Sequence, residues 1–219
     1  TTTVFDNNQF QGDVQLLDNY VYMANDWNID GNLWMVRGRY LYLQGYDLTV
    51  TGEVTFEYNS RIYMNKGMLQ CGSLTEYLLG GVVMQYGEDS IIVDGDACFG
   101  MVNSSSSYYA AGTIQVSGDI RFMESTTVEF GQNATLELTG TEKQTIYMEP
   151  GYHSFGTLVV NNTSDEGIYV ENGLEYTAYE NRTNVPITFA NGGVMGYTLE
   201  EVRMMYNTHA AQYSKEPFN

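Results

Sequence analysis

Apolar and polar residues alternate along most of the chain in short runs. "YVYM" at 20–23, "YLYL" at 40–43 and "RIYM" at 61–64 each place an apolar residue at every second position. A period of two marks strands that bury one face. Longer alternations centre on a glycine: Leu48, Val50, Gly52, Val54 and Phe56 form one set, and Ile114, Val116, Gly118, Ile120 and Phe122 another. Each set predicts strand residues turned to a common interior. The glycine is expected on the inward side, where the chain bends too tightly for a side chain.

The glycine pattern recurs. It reads "FQGDV" at Gly12, "IDGNL" at Gly31, "VTGEV" at Gly52, "QCGSL" at Gly72, "VDGDA" at Gly95, "VSGDI" at Gly118 and "LTGTE" at Gly140. Successive spacings are 19, 21, 20, 23, 23 and 22 residues. A second strand signal follows each of several glycines, its first inward residue being Val21, Leu41, Ile62, Val82 or Val128. Two strand signals per coil, with no helical stripe between them, predict an all-β parallel β-helix or solenoid with coils of about 20–23 residues. An antiparallel sandwich also has strands every 8–12 residues or so. It leaves the ordered spacing unexplained, and the turn dipeptides Asp30-Gly31 and Asp94-Gly95 fall inside strand-like runs.

The pattern changes near the end. In "GYTLEEVRMMYNTHAAQYS" (196–214), Thr198 and Glu201 form a capping box, and Leu199, Val202, Met205, Tyr206 and Ala210 recur at helical spacing. Residues 1–195 are therefore expected to form the solenoid, and residues 196–219 a short C-terminal capping helix and tail. The stretch 163–195 carries no register that the repeat would fix.

Alternation also assigns the outward positions, and tyrosine fills them. Tyr22, Tyr42 and Tyr63 are expected to form one ladder, with Tyr20, Tyr40 and Arg61 beside it, at the strand spacing of about 4.8 Å. Arg37, Arg39, Arg61 and Lys66 gather in the same region. Aromatic area with a few cations suits a binding face for a glycan or a host or cell-surface protein. Stacked rings would equally stiffen a β-face without any ligand.

Charge narrows the classes. Nine Lys and Arg stand against 27 Asp and Glu in 219 residues, a net charge of −18. That balance excludes a nucleic-acid partner, because phosphate binding needs a cationic surface. No apolar run is long enough to span a membrane. The start, "TTTVFDNNQF", has neither a basic region nor an apolar core, so an exported protein would have lost its signal from this chain.

Acidic residues flank the repeat glycine. Asp94, Asp96 and Asp119 are expected near one another, with Asp13 and Glu53 at the equivalent place on earlier coils. Ca²⁺ is the cofactor that such oxygens would take; a solvated acidic face is the alternative. His153 and His209 lie in unrelated segments, and no nucleophile-elbow motif accompanies them. No catalytic residue is expected. Cys71 and Cys98 fall four residues apart along neighbouring strands, about 13 Å. A disulfide needs Cα atoms within about 7 Å, so two free thiols are expected.

Residues 136–162, "LELTGTEKQTIYMEPGYHSFGTLVVNN", add a resemblance. Gly140, Gln144-Thr145-Ile146, Phe155, Leu158 and Asn161-Asn162 resemble a segment of bacterial cell-surface right-handed β-helix proteins, in which a G-x-x-x-Q-T-I strand precedes a Phe-x-x-Leu strand ending in Asn-Asn. The resemblance implies a right-handed parallel β-helix in a secreted or surface-displayed protein and assigns no catalytic residue. It points to a structural or adhesion module at the cell surface. The rival expectation is a polysaccharide-binding or pectate-lyase-like β-helix, a lyase or glycosidase, that uses the acidic site with Arg61 or Lys66 beside it.

Overall fold

A computed structural model describes residues 2–5, 8–77, 79–100, 108–123, 127–148, 152–171 and 175–189. Among them every regular element is a strand, and every strand pairing is parallel. The chain is an all-β parallel solenoid, which removes the sandwich alternative. The segment expected to form the capping helix lies outside the described residues. No helix among the described residues is long and apolar enough to cross a membrane.

Each coil contributes to three faces. On the first, Thr2–Phe5, Tyr20–Met23, Tyr40–Tyr42, Arg61–Tyr63 and Gly81–Val83 pair in that order. On the second, Trp27–Asp30 precedes the first half of Asp47–Phe56, the first half of Met68–Thr75, and then Ser90–Val93. On the third, Leu33–Met35 leads to the second halves of those two long strands, then to Ala97–Phe99 and Ile120–Phe122. Tyr20 pairs with Tyr40, Tyr40 with Arg61, and Arg61 with Gly81, so each coil places its residues directly over the previous one.

Alternation gives the core as predicted. Leu48, Val50, Val54, Phe56, Ile114, Val116, Ile120 and Phe122 are all buried. They stack in columns down the axis. One runs Ile29, Val50, Cys71, Val93, Val116, Leu138 and Val160. A coil has no complete core of its own; its apolar residues are sealed by the equivalent residues above and below.

The repeat glycines do coincide, but the reason differs from the expected inward bend. From Gly31 to Gly118 they sit half-exposed at the bend between the second and third faces, and their missing side chains point along the stack; Gly12 is exposed at φ 87° with open space beside it, and Gly140 is buried. A Cβ on Gly31 would meet the carbonyl carbon of Gly12 at 2.5 Å, and one on Gly118 would meet that of Gly95 at 2.5 Å. Backbone bonds join the column, such as Gly52 N–H to the Gly31 carbonyl at 2.9 Å and Gly118 N–H to the Gly95 carbonyl at 2.9 Å. Glycine is required because coils approach too closely here for any other residue.

The Gln144 and Asn162 pair explains the segment that carries the family resemblance. Both are buried. The Gln144 amide donates to the carbonyls of Val116 at 2.9 Å and Gly118 at 2.7 Å, and its oxygen accepts from Gly140 N–H at 3.1 Å and Asn162 Nδ2 at 2.9 Å. The pair ties the bend after Gly140 to the coil before it, adding to the bond that the Val116 carbonyl already accepts from Thr139 N–H at 2.9 Å.

Neither cysteine forms a disulfide, as expected. The register sets Cys98 beside Thr75, four residues from Cys71. Burial first, then the carboxylates of Asp94 and Glu53, push the Cys71 thiol up to about 12.

Two outcomes follow from this packing. Gly118→Ala should cost roughly 2–4 kcal/mol in urea denaturation, since its Cβ would press on backbone. Gly87→Ala, with nothing within 4 Å of the added carbon, should shift stability by less than about 0.5 kcal/mol. A disulfide-exchange thiol reagent should label Cys98 in the native protein and reach Cys71 only on unfolding; labelling of both at one rate would contradict the buried position.

Candidate functional site

The first face carries the predicted ladder. Tyr22 stacks on Tyr42 with centroids 4.5 Å apart and planes at 9°, and Tyr42 on Tyr63 at 4.6 Å and 4°. In the adjacent column Tyr20 stacks on Tyr40 at 5.4 Å and 14°. The strand spacing of about 4.8 Å is close to the contact distance of two aromatic rings, so parallel coils in register stack them face to face. Ring faces are thereby consumed by neighbours, and edges and hydroxyls point outward. Burial, followed by the neighbouring phenols, holds the Tyr42 hydroxyl above its usual range.

Arg61 does not continue the stack. Its guanidinium donates to the Tyr63 hydroxyl at 3.4 Å and to Asn59 Oδ1 at 3.2 Å, and it covers the ring of Tyr108 at 4.9 Å. Asn59 sits at φ 57°, a left-handed bend that asparagine tolerates, and its amide reaches the Tyr40 hydroxyl at 3.1 Å. Burial opposes the charge on Arg61, yet hydrogen bonding to Tyr63 and the phenols of Tyr108, Tyr63 and Tyr40 leave it raised. Among the described residues no carboxylate enters this group.

The two bends that flank the first face carry more tyrosine. Between the third and first faces lie Arg37, Tyr58 and Tyr77, with the Arg37 guanidinium 4.9 Å above the Tyr58 ring. Between the first and second lie Tyr46, Lys66 and Tyr86, with Lys66 Nζ 5.5 Å from the Tyr86 ring and 3.2 Å from Glu88. Tyr20, Tyr46, Tyr58, Tyr77 and Tyr86 are 37–45% exposed. Among the described residues, ten tyrosines, counting the buried Tyr108, stand on this one side, together with four basic residues.

The acidic positions serve a different purpose. Asp13 Oδ1 accepts the N–H of Asn32 at 2.9 Å, Asn32 Oδ1 that of Glu53 at 2.8 Å, Asp96 Oδ1 that of Asp119 at 2.7 Å, and Asp119 Oδ1 that of Thr145 at 2.7 Å. Each side chain tethers the next coil just past the glycine column. Asp96 and Asp119 are adjacent, as expected, whereas Asp94 points to the second face and accepts from Gln70 Nε2 at 3.1 Å. Among the described residues no group of three or more His, Cys, Asp or Glu is arranged to hold a metal ion. A hollow of about 660 Å³ on the third face is lined by Glu53, Asp96, Asp119, Cys98, Arg121 and Tyr147, among others.

No family model, curated protein or solved structure matches this chain. The reading of its surface therefore stands on its own geometry.

The sequence analysis missed two features. The flanking cation–tyrosine pairs sit in bends, which have no period to reveal them. Glu76 was visible but passed over: it lies four residues after Gly72, where five other coils carry Leu16, Met35, Phe56, Phe99 and Phe122 and the last carries Gln144. It is fully buried, accepts from Val82 N–H at 3.1 Å and from the Tyr109 hydroxyl, and has its carboxyl pushed up to about 8 by that burial.

Tyr42→Ser removes two ring stacks and should destabilise the chain by roughly 2–3 kcal/mol. Tyr77→Ser, on an exposed bend, should cost less than about 0.5 kcal/mol. Thermal unfolding of both variants measures the difference.

Proposed function

We propose that this chain is a rigid β-solenoid module of a secreted or surface-displayed protein, and that it adheres through its tyrosine side. The observation that carries this reading is the uneven distribution of side chains around the solenoid. Exposed tyrosines and the cations Arg37, Arg39, Arg61 and Lys66 gather on the first face and its bends, in a chain whose net charge is −18. Tyrosine offers large contact area at low entropic cost, and a hydroxyl for polar contacts; such residues dominate binding surfaces. The ladder beneath serves as a stiff floor, since its ring faces are already stacked on one another. Exposed edges and hydroxyls suit a protein partner better than a sugar ring, which needs an open aromatic face.

A polysaccharide-binding or polysaccharide-cleaving role is the second reading. What favours it is the third-face hollow, where Asp96 and Asp119 stand with Arg121 and Tyr147. A lyase would want a cation beside metal-holding carboxylates. Arg61 instead contacts phenols and an amide, and Lys66 pairs with Glu88 on an open bend.

Protein-coated beads would be applied to a glycan array and to a panel of immobilised extracellular proteins. Adhesion to a protein surface that falls about tenfold or more when Tyr58 and Tyr77 are both changed to Ser, with the fold intact, is the expected result. Adhesion that ignores this double change but disappears with Asp96→Ala and Arg121→Ala would transfer the site to the third face. Binding to neither set of surfaces would overturn the adhesive role.

A further inference from the structure

Glu76 occupies a place that its neighbours fill with phenylalanine. The inward column runs Met35, Phe56, Glu76, Phe99 and Phe122. A carboxyl group there suffers a desolvation penalty that an apolar residue would avoid. Its Oε1 accepts from Tyr109 and from Val82 N–H, while Oε2 is buried with no partner among the described residues. Packing alone gives no reason for an acid at this point.

Both contacts lead to the end of the tyrosine ladder. Val82 pairs with Ile62, on the strand that carries Arg61 and Tyr63. Tyr109 is fully buried, and Tyr108, the residue before it, is buried as well, with its ring under the Arg61 guanidinium at 4.9 Å. The peptide groups around these two tyrosines bond to Met84, which accepts from Ala110 N–H at 2.8 Å and donates to the Tyr108 carbonyl. One carboxyl thus holds both the strand that pairs with the last ladder strand and the residue pair that closes over Arg61.

We propose that Glu76 is a proton-operated latch: its protonated carboxyl holds Tyr109, and with it Tyr108, against the Arg61 end of the ladder, and ionisation lets them go. The meaning of this for adhesion rests on the tyrosine side being the contact surface; the latch itself does not.

The surroundings fit such a device. Phe56 and Phe99 flank the carboxyl along the column, and Val82 offers only its N–H. Tyr109 is the one titratable group in contact among the described residues. Burial, then Glu76 itself, keeps the Tyr109 phenol well above 10, so it remains a donor throughout. Burial outweighs the Tyr109 and Val82 donors, which both favour the ionised carboxyl, and among the described residues no cation adds to them. The folded chain keeps this proton up to about 8, against an ordinary 4.5. Stability should therefore fall as pH climbs between those two values and level off above the higher one.

Amide exchange at Ala110, corrected for the intrinsic pH effect, and the Arg61 Nε resonance test the latch at pH 6 and pH 9. In the parent chain exchange should rise about tenfold or more and the Arg61 signal should shift. Glu76→Gln should abolish both changes. Tyr109→Phe, which keeps the ring but removes the donor, should show the released state at both pH values. A parent chain whose stability falls with pH while Ala110 and Arg61 stay unchanged would overturn the latch. Adhesion lost on changing Tyr58 and Tyr77, with these signals intact, would concern the contact surface alone.

Discussion

From Gly12 to Gly95, the carbonyl of each repeat glycine lies where the next glycine would carry its Cβ. That contact sets the distance between coils at the bend joining the second and third faces, and all else is built to the same spacing. Parallel strands are comfortable at about 4.8 Å, and so are stacked aromatic rings and stacked aliphatic columns. A single dimension therefore serves the backbone ladder, the core and the tyrosine ladder together. A Cβ at Gly118 would meet the Gly95 backbone at 2.5 Å, and opening the coils to admit it would loosen all three.

The same constraint explains the acidity. Where a parallel ladder turns a corner, backbone N–H groups lose their regular carbonyl partners and need others. Asp13, Asn32, Asp96 and Asp119 supply them, each oxygen capping an N–H on the following coil. Asp89 does the same at another bend, accepting from Lys66 N–H at 2.6 Å and from Gln85 and Tyr86. A share of the negative charge is thus spent on holding coils together. What reads as a divalent-cation site by residue type reads, by geometry, as a set of tethers.

The legible part of the fold was that governed by two periods at once. Alternation assigned Leu48, Val50, Val54 and Phe56 inward, and the recurring glycine set Tyr22 over Tyr42 and Tyr42 over Tyr63; the register agrees residue for residue. The separation of Cys71 from Cys98 came from the same arithmetic. The physical role of the glycines was not legible, because a strand pattern distinguishes inward from outward and has no symbol for along the stack. The bends were not legible either: their lengths vary, so Arg37 over Tyr58 and Lys66 over Tyr86 appear only when the coils are assembled. Glu76 broke a pattern that could have been read, at the place held by Phe56 and Phe99 in adjacent coils, but one acid among 27 draws no notice by composition.

Stacking also decides what the tyrosines can do. A ring that lies flat on its neighbours at 4.5 and 4.6 Å gives both faces to the fold. Tyr42 is therefore structural however much it looks like a binding residue in the sequence, and its edge alone faces outward. On this side the tyrosines with free area are those at the bends, together with Tyr20 where the stack ends. The two classes divide the labour: the ladder fixes the spacing and rigidity of the surface, and the bend residues supply the exposed area. A surface built this way is only as ordered as the ends of its ladder. At the Arg61 end that order passes through Tyr108 to Tyr109, and so to a buried carboxyl whose charge depends on pH.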